Sequence, residues 1–241
     1  MTDFGVWDTR RTSFGNQADM YATGRPSYPA EALEWALPHE ARRVLDLAAG
    51  TGRLTERLLG LGVEVVAVEP LEEMRAHVPA PATALAGSAE AIPLDDGDVD
   101  AVVVGQAFHW FDIARATAEM ARVLRPGGIV GLLWNLLDDD DPFARRFADV
   151  INAEERSSML QPDQPPPYDG APGLSTPERR LFRHRETYDA DRLTAFVLSR
   201  SQTILLPDEE RASLLTEVRA AAPTGEFPLA LVCECWRGER V

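Results

Sequence analysis

The run VLDLAAGTGRLT, residues 44–55, sets an aspartate near the end of an apolar strand and follows it with five small residues before a helical pattern begins. Val44, Leu45 and Leu47 read as a buried strand. Ala48, Ala49, Gly50, Thr51 and Gly52 form a turn without bulk, and Leu54, Leu58 and Leu59 open an apolar helix face. Such a turn brings backbone N–H groups at a helix N-terminus close to a ligand, which suits a nucleoside or a dinucleotide. The dinucleotide fingerprint is G-x-G-x-x-G with an acid about 20 residues further on. Here Gly50 and Gly52 supply two glycines and Thr55 stands in place of the third. Glu69 follows 19 positions after Gly50, at the end of the next strand, where its carboxylate can accept both hydroxyls of a ribose.

Asp46 narrows the ligand. A carboxylate ahead of the glycine turn repels a pyrophosphate, because like charges at close range are costly. It suits a ligand without phosphate and with a cationic end. S-adenosylmethionine has these properties: its sulfonium and ammonium are positive, and its ribose and adenine need an acid and a flat apolar slot. It is the cofactor expected here.

The elements that must position these residues alternate. Helical patterns are expected over 30–37, 53–61, 71–78 and 113–124, the last closed by Arg-Pro-Gly-Gly at 125–128. Strands are expected over 44–47, 63–69, 82–87, 99–105 and 129–134. The second half is less regular: Asp141 and Pro142 form an N-cap and first helical position, and 161–173 is a Pro/Gly loop too irregular for a core element. Strands at 181–188 and 229–239, with helices at 190–198 and 208–221, most simply finish the same sheet. The expected fold class is α/β, a Rossmann-like, doubly wound, mostly parallel seven-stranded sheet with helices on both faces. It forms one domain over 1–241: an N-terminal lid and helix (1–40), a cofactor-binding core (41–135), a substrate-side insertion (136–180) and a C-terminal completion of the sheet (181–241). Ligands of such sheets bind beyond the carboxyl ends of the strands, where the strand order reverses.

Taken in order, VLDLAAGTGRLT, VVAVEP, GSAEAIPL, VDAVVVGQAFHWFD and ARVLRPGGIVGLLWN resemble the motifs of the class I S-adenosylmethionine-dependent methyltransferases, most closely the methyltransferase type 11 group. The N-terminal FGNQADMYATGRPSYP is similar to the lead-in segment of small-molecule members, including those that methylate trans-aconitate. The resemblance implies that Asp46, Gly50 and Gly52 line the methionine end of the cofactor. Glu69 would hold the ribose diol, Pro70 and Leu71 would lie against the adenine, and Ser88 and Ala89 would edge it with Glu90 nearby. Gln106 and Ala107 would flank the transferable methyl group. Ala48 departs from the family, which has glycine there; alanine restricts positive φ, so it is tolerable if its φ is negative.

The residues after the fourth strand bear on the acceptor. Nucleic-acid amino methyltransferases carry an Asn/Asp-Pro-Pro-aromatic motif there, whereas this chain has GQAFHWFD. Phe108, Trp110 and Phe111 either wall a pocket or pack in the core. His109 is a base for a protonated nucleophile, a hydrogen-bond partner of the substrate, or a residue packed beneath Trp110. Tyr21, Arg25 and Tyr28 precede the first helix, where a lid over the cofactor could form, and Arg25 could pair with a carboxylate of cofactor or substrate.

Bulk properties exclude some classes. The 241 residues are 45% hydrophobic and 26% charged, an ordinary globular composition. No apolar run approaches the ~18–20 residues that span a bilayer. The first residues lack an apolar h-region, so neither a secretory signal nor a membrane partner is expected. A formal charge of −15 disfavours nucleic acid, whose phosphates need a basic face. Cys233 and Cys235 read as reduced thiols of a cytoplasmic protein. The histidines, His39, His77, His109 and His184, lack metal-binding spacing, so no metal is expected. A small-molecule methyltransferase is the leading expectation. Alternatives are a non-catalytic cofactor-binding protein, a nucleic-acid or protein methyltransferase, and a nicotinamide oxidoreductase, which would need to tolerate Asp46 and would need a third glycine where Thr55 stands.

Overall fold

The structure is a computed structural model that describes residues 24–151 and 164–241. Tyr21, most of the expected lid and positions 161–163 of the Pro/Gly loop lie outside the described residues. The elements run α1 (Ala30–Ala36), β1 (Arg43–Leu47), α2 (Arg53–Leu59), β2 (Glu64–Val68), α3 (Glu72–Arg75), β3 (Thr83–Leu85), β4 (Val99–Gly105), a 3₁₀ turn (Phe108–Trp110) and α4 (Ile113–Val123). They continue as β5 (Leu124–Leu137), α5 (Pro142–Val150), β6 (Glu178–Tyr188), α6 (Ala190–Leu198), α7 (Ser201–Ile204), α8 (Asp208–Ala221) and β7 (Phe227–Glu239). The sheet has seven strands in the order β3-β2-β1-β4-β5-β7-β6.

β1 pairs in parallel with β2 on one side and β4 on the other, and β3 and β5 extend these pairs outward in parallel. The strand order therefore reverses between β1 and β4. β7 runs against β5: Gly127 N–H donates to Arg240 O at 3.1 Å and Asp138 N–H to Ala230 O at 3.1 Å, so rising numbers on one strand meet falling numbers on the other. A mostly parallel Rossmann-like sheet is thus observed as expected. The Arg-Pro-Gly-Gly segment stops α4 but also begins β5, with a register shift between Val99 and Ala101 on its partner strand. The helix expected over 71–78 is only the single turn α3.

The chain divides into two compact units: one holds Leu136–Gln164 and Arg183–Val232 with the segment ending at Pro26, the other Ser27–Asn135, Pro165–Phe182 and Cys233–Val241. In the second unit α1, α2, β1, β2, β4, β5 and β7 share a core through Leu33, Val44, Leu58, Val103 and Leu133, joined by Cys233 and Cys235. Both cysteines are free and buried. Residues two apart on a strand share a face, which places both thiols in that core. The first unit packs α5, α6 and α8 around Phe147, Tyr188, Leu193 and Val218. Asp141 caps α5 by accepting from Phe143 and Ala144 N–H, with Pro142 at the first turn as expected. The segment ending at Pro26 is held there by Tyr188, whose hydroxyl donates to Gly24 O at 2.9 Å, and by Arg25 Nη2, which donates to Ser199 O at 2.9 Å.

Candidate active site

Within the second unit, the carboxyl ends of β1, β2, β3 and β4 lie side by side because the strands are in parallel register, Leu47 opposite Val68 and Val68 opposite Leu85. Asp46, Glu69, Ser88 and Gln106 therefore come to one end of the sheet, beside the reversal of strand order. This is where such sheets bind ligands.

The turn after β1 is left-handed at three of five positions: Ala48 has φ 59°, Gly50 φ 57° and Gly52 φ 83°. Gly52 is required twice over, since a Cβ there would also collide with Pro79. The glycine that the family has at position 48 would carry no strain, but Ala48 adopts the left-handed conformation that had to be avoided, at a cost of about 1–2 kcal/mol. Gln106, after β4, is the other non-glycine residue with positive φ among those described, at 60°. Its N–H donates to Leu133 O at 2.8 Å and its side-chain amide to Asn135 O at 3.0 Å, which hold the strained backbone in place. Strain at the ends of adjacent strands marks a place where geometry is imposed by the surroundings.

Asp46 is buried, and its Oδ2 accepts the Thr55 hydroxyl at 2.6 Å. Its Oδ1 has no partner, and neither has the buried Thr51 hydroxyl. Burial pushes the Asp46 carboxyl up to about 7; Thr55 opposes this and the charge of Glu69 adds to it. Glu69 is itself 6% exposed and accepts two backbone amides, Gly50 N–H at 2.9 Å and Leu71 N–H at 3.0 Å. Glu69 therefore braces the glycine turn as well as facing the ligand end of the sheet. A carboxylate has about four lone-pair sites, enough to brace a turn and to accept ligand hydroxyls as well.

Beyond β3, Ala89 is buried, Ser88 is half-buried and Pro70 is exposed. Glu90 Oε1 accepts Asp112 N–H at 3.1 Å, tying this loop to the start of α4. A brace that sequence reasoning missed lies behind it. Arg122 donates to Leu94 O and Ile92 O at 2.8 and 2.9 Å, and Glu119 accepts Ile92 N–H at 2.8 Å. The Arg122 guanidinium holds Glu119 below the usual carboxylate range.

After β4, Phe108 is buried, with Phe111, Tyr168 and Trp134 rings at 5.7, 6.0 and 6.5 Å. Phe108 is therefore core, whereas Trp110 and Phe111 are half-buried. His109 is exposed, its ring 4.7 Å from Trp110, so it lies beside Trp110 and is not packed beneath it. Trp134 Nε1 donates to His109 Nδ1 at 3.5 Å. An indole N–H only donates, so Nδ1 is the accepting nitrogen and the neutral ring carries its proton on Nε2. Tyr28, expected in a lid, is instead buried in the core of the second unit, with its hydroxyl against Gly105. Arg25 belongs to the first unit. Tyr168 comes from the loop expected to stay out of the core; its hydroxyl is buried without a partner.

Comparison with known proteins agrees with this geometry. The methyltransferase domain family matches residues 45–132, from β1 into β5. An uncharacterized methyltransferase of Mycobacterium tuberculosis is 44% identical over 216 residues, covering 88% of this chain and 86% of its own. One of Schizosaccharomyces pombe is 32% identical over 215 residues, covering 82% of each. The solved structure of a protein assigned as a type II methyltransferase of Anaeromyxobacter dehalogenans superposes with a TM-score of 0.64 at 25% identity, covering 90% of this chain and 97% of that one. The chain belongs to the class I S-adenosylmethionine-dependent methyltransferases.

Proposed function

We propose that the site binds S-adenosylmethionine and directs its methyl group to a small-molecule acceptor. The observation that carries the cofactor reading is the pair of carboxylates at adjacent strand ends, Asp46 with an unpartnered Oδ1 and Glu69 anchored on the amides of Gly50 and Leu71, on either side of a turn whose φ values open it to a ligand. Asp46 and the Thr51 hydroxyl fit a cationic amino-acid end, and Glu69 fits a ribose diol. The cofactor, when bound, supplies a methyl group on a sulfonium, already a good leaving group. The protein's own contribution is orientation and exclusion of water, worth up to ~7–11 kcal/mol in favourable cases. Gln106 and Ala107 supply the fixed backbone beside the methyl position.

Two features favour a small acceptor. The chain is strongly acidic, at −15, and the β4 end presents a histidine and aromatic rings in place of the polar-Pro-Pro-aromatic motif that holds a nucleobase amine. His109, exposed beside Trp110 and in contact with Trp134, is a candidate hydrogen-bond partner of the acceptor, and a carboxylate or hydroxyl acceptor fits it. The setting this reading expects is the cytoplasm, with a small molecule as partner and neither membrane nor nucleic acid. Among the described residues no helix is long and apolar enough to cross a membrane, and no group of His, Cys, Asp and Glu is arranged to hold a metal ion.

The test is calorimetric titration with S-adenosylmethionine, its demethylated product and NAD, followed by a metabolite screen for cofactor-dependent gain of one methyl mass. Binding of both sulfur nucleosides, no binding of NAD and methylation of a small molecule are expected. NAD binding without either sulfur nucleoside would refute the reading.

A further inference from the structure

Threonines inside helices ordinarily spend their hydroxyls on the carbonyl four residues earlier. Thr117 does so with Ile113 O at 2.7 Å, Thr194 with Ala190 O at 2.7 Å and Thr216 with Ala212 O at 3.0 Å. Thr55, in the first turn of α2, does not: its hydroxyl donates at 2.6 Å to Asp46 Oδ2 on β1. Both residues are buried, at 0% and 1% exposure, so no water competes for this bond. Two polar atoms of the same strand and turn, Asp46 Oδ1 and Thr51 Oγ1, are buried with no partner.

We propose that Thr55 is a positioning residue of the cofactor site: by capturing Oδ2 it fixes the rotation of the Asp46 carboxylate and leaves Oδ1, with the Thr51 hydroxyl, as the acceptors for the ammonium group of the cofactor's methionine end. The inference rests on the cofactor reading above and adds a residue to it. A carboxylate held at one oxygen by a neutral donor keeps its other oxygen in a defined place. The other charged group that acts on Asp46 is Glu69, whose oxygens accept from Gly50 and Leu71. Being of like charge, Glu69 cannot hold Asp46 in place of Thr55. The threonine at the position of the third dinucleotide glycine thereby acquires a reason. Glycine there would remove the hydroxyl donor and leave only the backbone N–H of this position to hold the Asp46 carboxylate.

The test compares two nucleosides that share the thioether and adenosine but differ in the amino-acid end. S-adenosylhomocysteine carries it; 5′-methylthioadenosine does not. Dissociation constants are measured by calorimetry for the full chain and for Thr55→Val and Thr55→Ser, with Thr55→Ala replacing the valine variant should that fail to fold. Loss of the hydroxyl should weaken S-adenosylhomocysteine about tenfold or more, the scale of one hydrogen bond to a charged group. It should leave 5′-methylthioadenosine within about twofold on the same scale, and Thr55→Ser should restore tight binding. An unchanged affinity for S-adenosylhomocysteine, an equal fall for both nucleosides, or failure of serine to rescue would overturn the proposal. If the unmodified chain binds neither nucleoside, the cofactor reading itself fails, an outcome distinct from the other three.

Discussion

Replacing Asp46 by asparagine should change the pH dependence of stability in a way that can be worked out beforehand. Folding raises the Asp46 carboxyl from 3.8 to about 7, with burial the largest cause, so between those values the native state holds a proton that the unfolded chain has released. Stability then falls as pH rises through that window, and the loss is complete above it. A tenfold change in an acid dissociation constant is worth about 1.4 kcal/mol, so the whole effect is about 4 kcal/mol, of which roughly 2–3 kcal/mol develops between about pH 5 and pH 8. The group is buried, so solvent does not screen it. Asparagine has nearly the same shape, can still accept from Thr55, and does not titrate. Urea unfolding of both proteins across this range isolates the effect, because titrating groups that do not interact with Asp46 cancel in the difference. The advantage of Asp46→Asn should grow by roughly 2–3 kcal/mol from about pH 5 to pH 8. A ligand ammonium beside Asp46 favours the charged form, so binding of S-adenosylhomocysteine near pH 6 should release protons in the unmodified protein and not in the variant, read by calorimetry in buffers of different ionisation enthalpy. A stability difference that stays constant with pH would refute the argument.

Other substitutions separate the roles of neighbouring residues. Glu69→Ala should weaken cofactor binding by ~1.5–3 kcal/mol and, because Gly50 and Leu71 lose their acceptor, lower unfolding stability by about 1–3 kcal/mol as well; loss of binding with an unchanged melting temperature would show that the bracing bonds are immaterial. Ala48→Gly should raise stability by up to about 1 kcal/mol, the relief of left-handed strain less the extra freedom of unfolded glycine, whereas destabilisation would contradict the positive φ. Tyr168→Phe removes a buried hydroxyl without a partner and should be neutral or stabilising by about 1 kcal/mol in thermal melts. His109→Asn should mainly raise the Michaelis constant; a ~10²–10⁴-fold fall in turnover at unchanged Michaelis constant and melting temperature would make His109 a base after all.

Much of the site was legible because its residues are fixed by local rules. Asp46, Gly50 and Glu69 are placed by strand ends and a glycine turn, and parallel register brings those ends together whatever the rest of the chain does. What escaped the sequence depends on partners far along the chain. Tyr168 sits among prolines and glycines, which read as a surface loop, yet it packs on Phe108, 60 positions earlier. Arg122 reads as the polar face of a helix and instead holds two carbonyls of the segment after Glu90. Tyr28 looked like part of a lid because of its neighbours, while the space above Gly105 decided where its ring went. Ala48 shows the limit from the other side: the sequence identified the position at risk, but the sign of its φ follows from how the turn meets Val68, whose carbonyl accepts Ala49 N–H at 3.1 Å. Thr55 combines both cases. Its departure from the glycine fingerprint was plain, but a hydroxyl in the first turn of a helix has several acceptors within reach. Only the placement of α2 against β1 selects the carboxylate. The residue that breaks a motif is then the one through which this site differs chemically from the dinucleotide sites that the motif describes.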